Sequence, residues 1–206
     1  MHPRSHQGQT KPKSERCEPR GRLRTEFNEM NLSDHKRKII LDAAAWCAFS
    51  STRSGCPIKS REHIYPILEK IDFDYLLDEQ KGAISKDQFN TWHKAECLKV
   101  SSALERTKRL EKDSMIGWAA KIINVYLKIA CYIGGLGREG LMRWIHPPLD
   151  GGLARGVKGH LDFIIPTIKS IKSYVLYRDI IQEIEKHTSS NGWFLIEIEK
   201  YWNPVI

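Results

Sequence analysis

The chain has 206 residues, 41% of them hydrophobic, which is enough to bury a substantial core and fits one domain or a domain with a small lobe. Its formal charge is +8 and its pI is near 9.2, so a polyanion is the natural partner, the other reading being a basic arm that only solubilises. The longest apolar run, IINVYLKIACYIGG, is broken by Lys128 and falls short of the roughly 20 residues that span a bilayer, so no membrane role is expected.

Residues 1–25 are polar, proline-bearing and strongly basic, with Arg4, Lys11, Lys13, Arg16, Arg20, Arg22 and Arg24 against Glu15 and Glu18. Such a segment is expected to lack stable structure unless a partner orders it. It contains no apolar core of the kind a secretory signal needs, so a cytoplasmic setting is expected. The five cysteines, at 17, 47, 56, 97 and 131, form no CxxC pair and suggest neither a disulfide framework nor a metal site, and no cofactor is expected.

From residue 26 to 206 the pattern is helical almost throughout and predicts a single all-α domain of about ten helices, short ones included. Ser33-Asp34 reads as a helix start before HKRKIILDAAAWCAF, and SGCP as its end. A second helix opens after Ser60, with Pro66 expected to bend or interrupt it. FDYLLDEQKGA reads as a short helix and a turn, and Ser85 with Gln88 forms a capping-box start for a long charged helix. MIGWAAKIINVYLKIACYIGG is the most apolar helix and the expected centre of the fold.

The GGLGREG loop follows, then a short helix around LMRWI, the HPPLD stretch and a short helix near 152–158. A long helix is expected within IIPTIKSIKSYVLYRDIIQEIEKH, with Pro166 in its first turn. WFLIEIEKYW closes the chain as an amphipathic helix, although its alternation also suits a strand with no evident partner.

Familiar catalytic signatures are missing. Gly135-Leu136-Gly137-Arg138-Glu139-Gly140 matches G-x-G-x-x-G but follows a helix, whereas a dinucleotide fingerprint follows a strand. No P-loop, HExxH or GxSxG occurs. One polar constellation is left. At about 100° per residue, Lys121, Asn124 and Lys128 fall on one stripe of the central helix. Such a stripe is either a solvated edge or a cationic cleft whose amide could hydrogen-bond a base. Asp150 follows Pro147 and Pro148 and precedes Gly151 and Gly152, a favoured N-cap position for the next helix.

SMIGWAAKIINVYL and PPLDGGLARGV together resemble the helix-hairpin-helix DNA glycosylase superfamily over about residues 114–158. The first looks like the second helix of the hairpin and the second like the segment carrying the catalytic aspartate. KIINVYLK and HPPLD are similar to a branch of glutamyl- or putrescinyl-thymine pyrophosphorylase-like proteins associated with hypermodified phage DNA, some of which act as anti-phage glycosylases. The resemblance implies a monomeric enzyme that flips a bulky modified base, such as a glucosylated hydroxymethyl-pyrimidine, out of double-stranded DNA and excises it.

In that scheme Asp150 is catalytic and Lys121 a phosphate or pocket residue or the nucleophile of a lyase step. Asn124, Lys128, His146, Asn28 and Arg155 are the expected DNA- or base-contacting residues. The alternatives are a non-catalytic DNA-binding protein on the same scaffold and a helical protein-interaction module.

Overall fold

The computed structural model describes residues 22–53, 55–108 and 115–203, with the side chains of 22–32 and Lys108 outside the described set. The elements are helical, in keeping with the all-α expectation, and among the described residues the only β pairing is an isolated bridge between Lys158 and Leu161. The order is α1 (Arg22–Ser51), α2 (Arg61–Leu68), α3 (Asp74–Leu77), a 3-10 turn (Glu79–Lys81) and α4 (Lys86–Lys108). Then come α5 (Ile116–Leu127), a π-helical turn (Lys128–Ile133), a 3-10 turn (Leu141–Arg143) and α6 (Gly151–Gly156). A 3-10 turn (Ile168–Ser170), α7 (Tyr174–Ser190) and a last 3-10 helix (Leu195–Tyr201) complete it.

The chain divides into two units, Met1–Lys36 and Arg37–Ile206. In the first, α1 begins at Arg22 rather than at Ser33-Asp34, so the basic stretch is helical from there. Residues 1–21, the bulk of the expected arm, lie outside the described residues. The second unit carries the core.

One local expectation holds and one does not, each for a physical reason. The Ser85 amide donates to Gln88 Oε1 at 2.9 Å while the Gln88 amide donates to Ser85 Oγ at 3.2 Å, the reciprocal capping box that opens α4. Pro66 does not interrupt α2, which runs two residues beyond it. Eight residues leave little helix on its C-terminal side to be kinked.

Two boundaries differ. α7 starts at Tyr174, where Ser173 Oγ accepts the Leu176 amide at 3.1 Å, so Pro166 stays outside the helix. A serine at a free helix start outcompetes a proline seven residues earlier. WFLIEIEKYW is neither strand nor α-helix but 3-10, and its alternation reflects burial of Leu195, Ile196 and Ile198 beside exposed Phe194 and Lys200.

The central helix is as buried as its composition demands, with Ile122, Ile123 and Leu127 wholly buried and α4 and α7 packed against the helix. Its 116–133 stretch is long and apolar enough to cross a membrane by length and composition, yet 72% of it is buried inside the fold. It is not one continuous α-helix. From Lys128 the ladder widens to π geometry, the Gly134 amide donating back to Ile129 O at 2.9 Å. Such turns occur often at functional positions, because the extra residue re-aims the side chains beside it.

Candidate active site

HPPLD is extended and buried from His146 to Leu149, and the chain then turns into α6 at Asp150. Asp150 Oδ1 accepts the Gly152 and Leu153 amides, both at 2.9 Å, and so satisfies two of the helix's orphan N–H groups. The same oxygen accepts the indole N–H of Trp202 at 3.1 Å. Three donors converge on Oδ1. Oδ2 has the Lys121 ammonium 3.9 Å away, with the lysine side chain 6% exposed and the aspartate 24% exposed.

Lys121 also donates to Ser51 O at 3.1 Å and lies 5.4 Å from the Trp118 ring centroid. Burial lowers its pKa from the ordinary lysine value, and the neighbouring Asp150 carboxylate works against that shift. Two turns along the same side of the helix, Lys128 pairs with Glu199 of the last 3-10 helix. Glu199 is pushed up from the usual carboxylate range, first by burial and further by repulsion from Asp150, while Lys128 pulls it back. The structure thus brings Lys121, Lys128, Asp150, Glu199 and Trp202 together, the last two from a segment that no motif marked.

Two glycines explain how that segment gets so close. A Cβ on Gly152 would stand 2.3 Å from Trp202 Nε1, and one on Gly156 would stand 1.5 Å from the Tyr201 carbonyl oxygen. Only a bare helix face admits residues 201–203 there. The Asn203 amide then donates to Gly152 O at 3.2 Å, and Arg155, expected to reach DNA, donates to Asn203 O at 3.1 Å from an exposed position.

Asn124 and His146 have a different place from the one expected of base- or phosphate-contacting groups. Asn124 is wholly buried, and its amide nitrogen donates to Pro147 O at 3.1 Å and to Tyr177 Oη at 2.8 Å. Its Oδ1 receives His93 Nε2 at 2.8 Å. His146, 1% exposed, meets Tyr177 Oη at 2.9 Å through Nδ1 and Arg178 at 3.0 Å through Nε2.

The amide is therefore committed to the core, where it ties α4, α5, α7 and HPPLD to one another. Burial pushes His93 down to about 4, and His146 moves the same way, so both rings are neutral. Cys97 Sγ sits 3.5 Å from His93 Nδ1, but burial raises its thiol pKa strongly, the opposite of an activated nucleophile.

Gly117, within the SMIGWAAKIINVYL stretch that resembles the second helix of the hairpin, donates its amide to Ile171 O at 3.2 Å, so the protein's own chain occupies that donor. The Asn28 side chain lies outside the described residues. Among the described residues, none of Cys47, Cys56, Cys97 and Cys131 is in a disulfide. No protein-family model, curated protein or solved structure matches this chain.

Proposed function

We propose that the protein is a monofunctional DNA glycosylase that excises a bulky modified base from double-stranded DNA. The observation that carries this reading is the state of Asp150: three donors fix one carboxylate oxygen, leaving the other beside Lys121 at a partly exposed helix start. A carboxylate so placed suits a reaction in which positive charge grows on a sugar.

Extruding the nucleotide costs a few kcal/mol, offset by binding. The net charge of +8 supports backbone affinity of the salt-dependent kind. As the C1′–N bond breaks, its electron pair leaves with the base, which then takes a proton from solvent. The sugar gains oxocarbenium character, and the fixed Asp150 carboxylate stabilises it without having to reorganise. Water adds its oxygen to C1′ and gives up a proton, leaving free base and an abasic site. Lys121 holds Oδ2 in place as its counter-charge.

The test is incubation with duplex DNA carrying hypermodified pyrimidines and with ordinary duplex DNA, reading free base and alkali-labile sites. Release from modified DNA is expected, with a loss of at least about a hundredfold in Asp150→Asn, the scale of removing one preorganised electrostatic group. Equal release by parent and variant would sink the reading. Salt-sensitive DNA retention with no product would mark a non-catalytic DNA-binding protein instead.

A further inference from the structure

Among the described residues, Trp202 is the one exposed large apolar side chain that hydrogen-bonds the candidate carboxylate. Its indole N–H is fixed on Asp150 Oδ1 at 3.1 Å, its backbone amide donates to Glu199 O at 2.8 Å, and Gly152 leaves no room for a Cβ beneath the ring. Even so, the residue is 45% exposed. A tryptophan held on three sides yet open to solvent loses little freedom when a ligand covers it, which is what a recognition surface requires.

We infer that Trp202 has two roles at this site: its N–H positions the Asp150 carboxylate, and its open face stacks on the planar ring of the nucleotide whose glycosidic bond breaks beside Asp150. The inference rests on the glycosylase reading and adds to it the element that receives the base. The ligand chemistry follows from the surroundings. A flat heteroaromatic ring matches the indole face, its attached sugar is then carried toward Oδ2, which Lys121 holds, and the exposed Arg155 supplies positive charge for a flanking phosphate. Asn124, the amide that the sequence marked for base contact, is spent in the core, so recognition falls to this ring.

The two roles separate in two variants. Trp202→Phe and Trp202→Leu both remove the N–H and both keep an apolar side chain, but only phenylalanine stacks. Binding is measured by fluorescence anisotropy on a labelled duplex with one base opposite an abasic gap, which lowers the cost of extrusion. Trp202→Phe is expected to bind within about threefold of the parent, and Trp202→Leu about tenfold more weakly, the lower range of base–aromatic stacking.

In base release, Trp202→Phe is expected to lower kcat with KM little changed, as a positioning defect does. Thermal melting checks that each variant is folded, with Trp202→Met standing in if Trp202→Leu is not. Equal affinity for the leucine and phenylalanine variants would overturn stacking, and an unchanged kcat in Trp202→Phe would overturn positioning, while base release by the parent kept the glycosylase reading intact. A parent that neither binds the duplex nor releases base would overturn both.

Discussion

At Gly156 the Cα hydrogen is the largest substituent the fold accepts, because the atom it faces is the backbone oxygen of Tyr201, which cannot rotate out of the way. Gly156→Ala is expected to cost about 1–3 kcal/mol by overpacking, read as a lower urea midpoint at unchanged slope. Gly151→Ala is the control, since its nearest obstacle is Arg155 Nη1 at 3.2 Å, the end of a flexible side chain. It should leave stability within about 0.5 kcal/mol. If Gly156→Ala proves as harmless as Gly151→Ala, residues 201–203 do not lie on α6 as described. Two bare positions one helical turn apart, Gly152 and Gly156, leave room for another piece of chain without requiring one. Which piece was not legible, since nothing local in EIEKYW relates it to PPLDGG.

Among the elements, α5 was the most readable, because an apolar stripe covering most of a helix can only be buried. The members of its polar stripe share one side by helical geometry, but they part company. Lys121 meets Asp150, Lys128 meets Glu199, and Asn124 enters the core, since a difference of depth along one face is set by the neighbours and not by the spacing. The π-helical turn was equally hidden, as its residues KIACYI carry no signal that separates it from α-helix. Asn124 joins its neighbours through hydrogen bonds while wholly buried, so its replacement is more disruptive than its size suggests. Asn124→Leu, close in volume, would strip partners from His93 Nε2 and Pro147 O and one donor from Tyr177 Oη. The expected loss is at least about 2 kcal/mol, measured by urea unfolding. A variant as stable as the parent would show that these groups find other partners.

For the whole molecule, the neutral buried histidines tie stability to acidity. His93 falls from 6.5 to about 4 in the folded state, so the unfolded chain binds its proton first as pH drops. The contribution is intact above about pH 6.5 and is lost as pH falls from there towards 4, at about 3 kcal/mol for this group. His146, shifted the same way by burial, Arg178 and Lys86, steepens the loss. Urea midpoints between pH 7 and 4 should therefore fall, and His93→Gln should flatten the slope; an unchanged slope in the variant would exclude this histidine as its source. A different consequence follows from the contact between α6 and residues 201–203. Trp202 lies 52 positions after the aspartate it holds, so on the ribosome Asp150 is made, and can begin to cap its helix, well before its third donor exists. Until Trp202 has emerged, the carboxylate has its amides but not its indole. The order of synthesis thus puts the finished site later than the residues that carry Asp150 and its two amide donors.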